Sequence, residues 1–420
     1  MLNNYFKIAV VGSGPSGCFA AQFLLKKYPT AEVYIFDQIP VPYGLLRFGI
    51  AADHQGSKNI AQQFDRIFQL PNVYFCGNTT IGKDISFEKL KANFNLIVLA
   101  TGLENDKSIS LTTVPDAHII GAGALLKGMN THPDYLTNAP TALGSNICII
   151  GAGNVSMDVV RLLCAEKNQL QNSDINDEYL DLVRSNKIKK INVFSRSSAK
   201  DAKFDLSMLK EILALENVQV KFSDDDDVFS SINRDNKSKS DDVIKVIFNF
   251  NAKPIQIEKP MKGMQLVVER SSEYEVSRFE ADSVITAIGF ENNQSFEQTP
   301  KQNWNGEFVC SVGWYANGGT GTVAANRKST KTVIDSFIQK IDKNLETHPD
   351  LQIKHFDQDL EDVIARSISF SQWKRIDAYE KFFKPADRCR KKVTTRNLML
   401  NIASQARFES LSHDPYQHAV

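Results

Sequence analysis

The stretches IAVVGSGPSG at residues 8–17 and ICIIGAGNVS at residues 147–156 share one pattern, a run of mostly β-branched residues followed directly by a glycine-rich turn. Apolar residues at helical spacing come after each turn, with Phe19 and Phe23 after the first and Val159 and Leu163 after the second. Strand, glycine turn and helix in this order form the βα unit of an open α/β sheet. The two stretches therefore predict an α/β fold with two Rossmann-like domains.

The first turn has the three glycines that a dinucleotide-binding turn requires. Gly12 permits the tight strand-to-helix turn, Gly14 lets the main chain approach a pyrophosphate, and Gly17 lets the helix pack closely on the strand. The N–H groups and the dipole at the start of the helix favour a bound phosphate. Asp37, which ends the next predicted strand, is placed to accept hydrogen bonds from the ribose of an adenosine.

The second turn departs from the first at its third glycine. Gly151 and Gly153 are present, but Ser156 stands in the third position, so helix and strand should lie slightly farther apart. Arg196 follows the distal strand, and an arginine there accommodates the 2′-phosphate of NADP. The alternative is a solvated arginine, which leaves NAD as a possible cofactor.

Length and composition predict a cytoplasmic enzyme of two domains. The 420 residues exceed the usual size of one domain, and the 49 basic and 49 acidic residues give no overall charge that would favour nucleic acid or membranes. No apolar run reaches the roughly 18 residues of a membrane span. A first strand that begins by Phe6 leaves no room for a signal peptide.

The six cysteines form no C-x-x-C pair and no spacing typical of a metal site. Many flavoproteins with two nucleotide sites are disulfide reductases, whose chemistry needs a redox-active cysteine pair. The cysteine spacing therefore argues against that class. The seven histidines are also scattered, so no metal centre is expected.

Two buried strands that end in turns enclose the second βα unit, FNLIVLATG at residues 94–102 and ADSVITAIG at residues 281–289. The second βα unit is therefore predicted to lie in an inserted domain. The first domain would begin before the insertion and be completed by the C-terminal part of the chain. We expect the first domain to comprise residues 1–104 and 307–420 and the inserted domain to comprise residues 105–306. Residues 223–242, which include four consecutive aspartates, predict a solvated loop.

Two further segments predict the environment of a reactive ring. VPYGLLRFGIAADH at residues 41–54 follows the ribose-binding strand, so we expect it to run along the cofactor. GWYANGGTG at residues 313–321 places Trp314 before a glycine turn and a helix predicted over residues 322–341. The start of that helix would stabilise negative charge on a reduced flavin, and Trp314 would shield a ring. The alternative for Trp314 is a packed core aromatic.

These segments together resemble the adrenodoxin reductase family, the FAD-containing NADPH:ferredoxin reductases of the glutathione-reductase-like fold. The matching stretches, which extend from residue 6 to about residue 396, are VVGSGPSG, VPYGLLRFGIAADH, GAGNVSMDVVR, TAIGF, GWYANGGTG, SFSQWKRIDAYE and KPADRCRKK. The resemblance implies that an NAD(P)-binding domain at residues 105–306 is inserted into an FAD-binding domain.

The resemblance also implies the site residues. FAD would be held by the first turn and by later segments, at Gly12, Gly14, Ser16, Gly17, Asp37, Leu45, Ile81, Trp314, Gly321, Thr322 and Val323. NADP would be held by the second turn and the end of its distal strand, at Gly151, Ala152, Gly153, Asn154, Val155, Arg196, Ser197 and Gly321. His54 and Asp158 match a catalytic pair near the flavin for which a proton-handling or charge-stabilising role is proposed.

The chain departs from the family pattern around the predicted NADP phosphate. Ser197 stands where relatives commonly have a second arginine, and Met208 stands where they have an acid. Losing a fork of charge-assisted hydrogen bonds should weaken NADP selectivity by roughly 1.5 to 3 kcal/mol. Lys200 and Lys203 are candidates to replace the lost charge. Ala316, Asn317 and Gly319 also depart from the family's turn before the flavin, which predicts a looser turn.

The resemblance implies a small acidic [2Fe-2S] ferredoxin as the electron acceptor. Residues 374–396 contain nine basic and three acidic residues and supply a candidate docking surface, with Arg388, Arg390, Lys391 and Lys392 at its centre. The alternative for this stretch is an ordinary solvated face. Two other functions remain open, an NAD(P)H oxidase or quinone reductase without a protein acceptor and a non-catalytic nucleotide-binding protein.

Overall fold

The computed structural model describes residues 6–136, 141–223, 228–229, 243–260, 263–270, 276–292, 304–347 and 354–405. Most of the predicted solvated loop at residues 223–242, including its four aspartates, lies outside these residues. Within them, no helix is both long enough and apolar enough to cross a lipid bilayer.

The chain divides into two compact units. Unit 1 comprises Met1–Ile50, His54–Glu104 and Glu291–Val420, and unit 2 comprises Ala51–Asp53 and Asn105–Phe290. Trp304 falls within the segment that the sequence assigns to the insertion, yet its ring stacks on Phe87 in unit 1 with the centroids 5.2 Å apart. The chain has therefore returned to unit 1 before residue 307.

The first part of unit 1 alternates strands and helices. Its strands are β1 (Lys7–Val11), β2 (Glu32–Phe36), β3 (Val73–Cys76) and β4 (Leu96–Leu99). Its helices are α1 (Pro15–Lys27), α2 (Leu45–Phe48), α3 (Gln55–Lys58), α4 (Ala61–Phe68) and α5 (Phe87–Asn93). Helix α1 has proline at its first position and two lysines in its last turn, the placements that favour a helix start and a helix end.

Among the described residues of unit 2, ten strands and four helices have defined bounds. The strands are β5 (Asn105–Asp106), β6 (Ile119–Gly121), β7 (Asn146–Ile150), β8 (Lys190–Phe194), β9 (Val218–Phe222), β10 (Ile244–Asn249), β11 (Ala252–Glu258), β12 (Met264–Arg270), β13 (Val276–Ala281) and β14 (Ser283–Thr286). The helices are α6 (Ala122–Met129), α7 (Asn154–Cys164), α8 (Asp177–Val183) and α9 (Leu206–Leu213). A last short strand, β15 (Phe290–Glu291), spans the return to unit 1.

In the described residues after the return to unit 1 there are one strand and five helices. They are β16 (Val309–Ser311), α10 (Trp314–Asn317), α11 (Val323–Thr347), α12 (Gln358–Arg366), α13 (Phe370–Phe382) and α14 (Arg396–Ser404). Helix α13 begins with a capping box, in which the Ser369 side chain accepts from the backbone of Gln372 and the Gln372 side chain accepts from the backbone of Ser369. Helix α11 confirms the helix predicted over residues 322–341 and continues for six residues more.

Each unit is built on a parallel sheet, so the predicted α/β fold is confirmed. Unit 1 has five parallel strands in the order β16-β4-β1-β2-β3. Unit 2 has six parallel strands in the order β6-β14-β7-β8-β10-β9 and a separate antiparallel sheet, β11-β12-β13. Both glycine turns leave the carboxyl end of a central strand, where open α/β sheets bind ligands.

Buried side chains cover both faces of each parallel sheet, which explains why β4 is a continuous apolar run and why β1 and β7 are apolar after their first residue. In β1, Ile8 and Val10 face one apolar cluster, and Ala9 and Val11 face the other. The strands are therefore held rigidly, and the turns at their ends keep a defined geometry.

Candidate functional site

The first turn has the backbone that its glycines predict. Gly12 has φ +104°, and a Cβ there would lie 2.3 Å from the carbonyl oxygen of Ala100. A Cβ at Gly17 would lie 2.0 Å from the carbonyl oxygen of Gly12. Neither position accepts a side chain, because β4 and α1 pack directly against the turn.

Gly14 is different, because nothing lies within 4 Å of the point that a Cβ would occupy. It precedes α1 in an extended conformation, with φ −66° and ψ 176°. The space beside it therefore adjoins the start of a thirteen-residue helix, whose first N–H groups have no partner in the helix itself. A pyrophosphate could approach the main chain here.

Asp37 is joined to the first turn by hydrogen bonds. Its Oδ2 accepts from the backbone N–H of Ser13 at 3.0 Å and from the Ser13 hydroxyl, and its Oδ1 accepts from the N–H of Ile39 at 3.2 Å. Burial raises the pKa of Asp37, and the hydrogen bonds from Ser13 and Ile39 oppose that rise. A carboxylate oxygen has two acceptor sites, so Oδ1 retains acceptor capacity for a ribose hydroxyl.

The segment at residues 41–49 lies against the same turn. The N–H of Tyr43 donates to the carbonyl of Ser13 at 3.1 Å, and a Cβ at Gly44 would lie 3.2 Å from the Cα of Gly14. Tyr43 and Gly44 both have positive φ, 85° and 50°, which is a strained conformation for tyrosine. Leu45 then begins α2 and is half-buried.

Trp314 and the glycine turn after it also meet the first turn. Gly313, with φ +67°, comes so close to α1 that a Cβ there would lie 2.2 Å from the Ser16 hydroxyl. Trp314 is half-buried, and its indole N–H donates to the carbonyl of Gly321 at 3.3 Å. The Thr322 hydroxyl accepts from the N–H of Ala325, so Thr322 caps α11, which starts at Val323.

Asn326 is a residue of this turn that sequence reasoning missed. It is 6% exposed, and its side-chain amide donates to the carbonyl of Gly321 at 3.1 Å and to that of Thr322 at 3.0 Å. It also accepts from the side chain of Asn317 at 3.1 Å. These bonds tie the turn to α11.

Ile81 is packed in an apolar cluster of unit 1 with 4% of its surface exposed. Thr101 was not among the predicted residues, although its Cα would lie 3.1 Å from a Cβ at Gly12. Its hydroxyl is buried and has no hydrogen-bond partner among the described residues. The hydroxyl of Thr101 lacks a partner in the described part of the chain, Gly14 is open and Asp37 keeps an acceptor, and a bound dinucleotide would satisfy all three.

The second turn repeats the geometry of the first in unit 2. Gly151 has φ +112°, and a Cβ there would lie 2.3 Å from the carbonyl oxygen of Ala287, whereas a Cβ at Gly153 would meet nothing within 4 Å. Ser156 is fully buried, and its hydroxyl donates to the carbonyl of Gly153 at 2.6 Å. Ser156 therefore forms a side-chain hydrogen bond to the turn, which a glycine at this position could not form. Ala152 and Val155 are half-buried.

Residues 203–205 flank this turn, a contact that no sequence pattern predicts. The backbone of Lys203 forms a parallel bridge with Gly153. Asn154 and Asp205 exchange two hydrogen bonds, from the Asn154 amide to Oδ2 of Asp205 at 2.7 Å and from the Asp205 N–H to Oδ1 of Asn154 at 2.8 Å. The glycine turn is therefore held from the side by this segment.

Arg196 and Ser197 follow the carboxyl end of β8. Arg196 is exposed, and Ser197 is half-buried, with its N–H donating to the Ser195 hydroxyl at 3.2 Å and its carbonyl accepting from Asn251. Met208 packs against the main apolar cluster of unit 2. Of the residues that depart from the family pattern, Met208 therefore serves the core.

Asp158 has the charged partner that its position requires. Arg161, one turn later on α7, lies 2.9 Å from Asp158 Oδ1 and also pairs with Asp53 and Glu211 at 2.8 Å each. The Arg161 side chain is 6% exposed. Asp53 directly precedes His54, whose carbonyl accepts from Ser57 and Lys58 at the start of α3. Arg161 thus brings Asp158 and Asp53 together within unit 2.

The structure corrects the predicted basic docking surface. Arg388 and Lys392 are 2% and 3% exposed, so neither side chain belongs to a surface. Lys392 Nζ donates to the carbonyl of Arg47 at 3.0 Å, and Arg390 pairs with Asp377 and Glu380 at 2.8 and 3.1 Å. The physical reason is that a buried cation needs an acceptor, and these cations find acceptors inside unit 1.

Arg47, in the middle of the GLLRFG stretch, is part of the same network. Its guanidinium lies 2.5 Å from the carboxylate of Glu380 and 4.9 Å from the ring of Trp373, and all three side chains are buried. Glu380 is 333 residues away from Arg47 in the chain, so no local sequence pattern predicts this ion pair.

None of the six cysteines, all of which lie in described segments, forms a disulfide. Burial raises the pKa of Cys76, Cys148, Cys164 and Cys310 to about 12, so these four thiols are not activated as thiolates. The described residues also contain no group of three or more potential metal ligands.

Comparison with known proteins gives relatives along nearly the whole chain, although no protein-family model matches it. The chain is 35% identical over 441 residues to the cindoxin reductase of Citrobacter braakii, covering 98% of this chain and 94% of that protein. It is 26% identical over 455 residues to the mitochondrial NADPH:adrenodoxin oxidoreductase of Arabidopsis thaliana, covering 91% and 93%. The structure of Mycobacterium tuberculosis FprA in complex with NADPH has the same fold, with a TM-score of 0.83 at 24% identity over 95% of this chain and 100% of that one.

Proposed function

This chain belongs to the adrenodoxin reductase family, and on that premise we propose that it is a flavoprotein oxidoreductase acting between NADPH and a [2Fe-2S] ferredoxin. The observation that carries the proposal is the pair of glycine turns, each with one open glycine before a helix, Gly14 in unit 1 and Gly153 in unit 2. Two dinucleotide turns in one chain suit an enzyme that binds one nucleotide as a resident cofactor and another as a substrate.

Unit 1 is the proposed FAD site. The backbone beside Gly14 would receive the pyrophosphate, and Asp37 would accept from the ribose. The Thr101 hydroxyl is available for a further polar contact. Trp314, Gly321, Thr322 and Val323 would hold the ring end. When bound, FAD accepts a hydride and releases its electrons singly, which suits a one-electron acceptor.

Unit 2 is the proposed NADPH site. The turn from Gly151 to Val155 would receive the pyrophosphate, and Arg196 at the end of β8 would bind the 2′-phosphate. Ser197 adds a hydroxyl where relatives commonly add a charge, so the discrimination against NADH should be smaller than a pair of arginines would give.

His54 and Asp158 are the proposed catalytic pair, with a proton-handling or charge-stabilising role beside the flavin. Arg161 pairs with Asp158 across 2.9 Å and fixes the place of this carboxylate on α7. The same guanidinium also binds Asp53, the residue that directly precedes His54 in the sequence.

The proposed acceptor is an acidic [2Fe-2S] ferredoxin. With Arg388 and Lys392 buried, the docking surface would rest on the exposed Lys381 and Lys384, the half-buried Lys391 and the strongly exposed ring of Phe382. An aromatic side chain surrounded by cations is a common anchor for a negatively charged protein.

The function is tested with the purified protein as isolated. We expect it to contain FAD and to reduce a [2Fe-2S] ferredoxin with NADPH faster than it reduces oxygen or a quinone. Rapid reduction of quinone or oxygen with no response to ferredoxin would support the oxidase or quinone reductase alternative. A colourless protein that binds nucleotide without turnover would support the non-catalytic alternative.

A further inference from the structure

Lys203 occupies a position that the proposed function leaves without a role. Its backbone forms a parallel bridge with Gly153, the glycine whose missing side chain leaves the second turn open. The side chain of Lys203 is exposed, and within the described part of the chain it has no carboxylate within 4 Å. The backbone of Lys203 is thus held beside the second glycine turn, within reach of a flexible lysine side chain.

The segment that carries Lys203 is anchored on both sides. Phe204 is 6% exposed and packs against Phe229 and Phe248, with ring centroids 5.9 Å apart in both pairs. Asp205 is bound to Asn154 by the two reciprocal hydrogen bonds described above. The backbone of Lys203 therefore has a defined place beside the turn, and only its flexible side chain needs to order when a ligand binds.

Lys203 and Arg196 meet the turn at different points. Arg196 follows β8, the strand next to β7, where the adenosine end of a dinucleotide lies in this fold. Lys203 is paired with Gly153, where the proposed function places the pyrophosphate. A lysine is a compact charge that binds phosphate without requiring the fork geometry of arginine.

Resting on the proposed function, we propose that Lys203 is a binding residue for the pyrophosphate of the nicotinamide dinucleotide. Arg196 reads the 2′-phosphate, which NADP has and NAD lacks, whereas Lys203 binds the pyrophosphate that both share. Lys203 therefore adds affinity for both nucleotides and does not discriminate between them. This contrasts with the sequence expectation that Lys203 replaces the charge missing at Ser197.

The test is an equilibrium titration of the FAD-loaded protein with NADP⁺ and with NAD⁺, followed by the change in flavin absorbance or by calorimetry. Lys203→Ala should raise the dissociation constant for both nucleotides by about tenfold, the lower end of the range for hydrogen bonds to charged groups. Lys203→Arg should restore most of the affinity. Arg196→Ala should weaken NADP⁺ and leave NAD⁺ unchanged.

Lys221→Ala is the matched control, because Lys221 is an exposed lysine of the same unit on the edge strand β9. It should bind both nucleotides as wild type does. Flavin content and circular dichroism report whether each variant is folded.

Two results would overturn the assignment while leaving the proposed function intact. If Lys203→Ala weakens NADP⁺ alone, Lys203 reads the 2′-phosphate. If it weakens neither nucleotide, the lysine is solvated and has no part in binding. If the wild-type protein binds neither nucleotide, the proposed function itself fails, and the assignment fails with it.

Discussion

Arg161 holds the carboxylate of Asp53 through two hydrogen bonds of 2.8 Å, from Nε to Oδ2 and from Nη2 to Oδ1. The same side chain pairs with Asp158 on its own helix and with Glu211. One nearly buried guanidinium therefore neutralises carboxylates from three parts of the sequence. The arrangement depends on arginine, because a lysine cannot form the two parallel bonds to Asp53.

The first prediction concerns this centre. Arg161→Met leaves the largely buried carboxylates of Asp53 and Asp158 without their guanidinium, so we expect a loss of about 3 to 5 kcal/mol in the free energy of unfolding. Arg161→Lys keeps the positive charge but cannot form the two parallel hydrogen bonds to Asp53. Its free energy of unfolding should therefore lie between those of Arg161→Met and wild type. Unfolding in guanidinium chloride, followed by circular dichroism, measures both.

A double-mutant cycle with Asp53→Asn is the control for this prediction. The double variant should lose less free energy of unfolding than the two single variants lose together. Each single change leaves a largely buried charge without its partner, whereas the double change removes both charges. Strictly additive effects would contradict the description of Arg161 and Asp53 as a coupled pair.

The second prediction uses the difference between two glycines of the first turn. Gly12→Ala places a Cβ 2.3 Å from a carbonyl oxygen at a positive φ, so it should destabilise the protein by roughly 3 kcal/mol. Gly14→Ala meets no protein atom within 4 Å and has ordinary backbone angles, so it should leave stability nearly unchanged. It should nevertheless purify with little flavin, because the methyl group occupies the space beside the helix start.

Gly151→Ala and Gly153→Ala form the corresponding pair in unit 2. Gly153→Ala should keep both stability and flavin but bind NADP⁺ weakly. The measurements are thermal unfolding and flavin content for all four variants and NADP⁺ titration for the two variants of unit 2. A Gly14→Ala protein that retains its full flavin would place the pyrophosphate elsewhere.

The third prediction concerns pH. Although burial alone would raise the pKa of Asp377, the positive charges of Arg390, Lys381 and Lys374 hold that pKa well below its usual range. A carboxyl group whose pKa is lower in the folded state stabilises the fold above its unfolded pKa of about 4 and loses this contribution as the pH falls. Asp377→Asn should therefore cost about 2 kcal/mol at neutral pH, and the cost should shrink below about pH 4.

The measurement is urea unfolding of wild type and Asp377→Asn at a series of pH values. The difference between the two proteins should be constant from about pH 6 to pH 8. A difference that grows as the medium is acidified would have the wrong sign for this account.

How much of the site could be predicted from the sequence depends on how far apart the interacting residues lie in the chain. The turns at Gly12 and Gly151 could be predicted, because a strand, a positive-φ glycine and a helix are contiguous. The prediction that Arg388 and Lys392 belong to a docking surface is wrong, because a count of charges along residues 374–396 does not show which side chains are buried. The acceptor of Lys392, the carbonyl oxygen of Arg47, lies 345 residues away in the chain. Arg161 was missed for the same reason, since Asp53 lies 108 residues earlier.

The fourth prediction tests the revised docking surface. Charge reversal at two of the three lysines of this surface, Lys384→Glu with Lys391→Glu, should raise the apparent KM for an acidic ferredoxin several-fold. Turnover from NADPH to ferricyanide, a small acceptor, should stay unchanged. Lys83→Glu, a charge reversal at another exposed lysine of unit 1, is the matched control and should affect neither activity. Equal effects on ferredoxin and ferricyanide would show that the lysines serve the fold or the flavin.

Arg390→Glu should behave differently from this pair. Arg390 pairs with the buried carboxylates of Asp377 and Glu380. Arg390→Glu should therefore act mainly by lowering the free energy of unfolding. Thermal unfolding separates the two cases. An Arg390→Glu protein that is as stable as wild type and has a raised KM for ferredoxin would show that Arg390 belongs to the docking surface.

The central claim is that electrons pass from NADPH through bound FAD to a ferredoxin. Its most direct test is anaerobic rapid mixing of the purified protein with NADPH, followed by a second mixing with oxidised [2Fe-2S] ferredoxin. The account predicts that NADPH bleaches the flavin absorbance and that ferredoxin restores it as the iron–sulfur spectrum changes to the reduced form. A flavin that NADPH leaves oxidised, or a reduced flavin that ferredoxin leaves bleached, would contradict it.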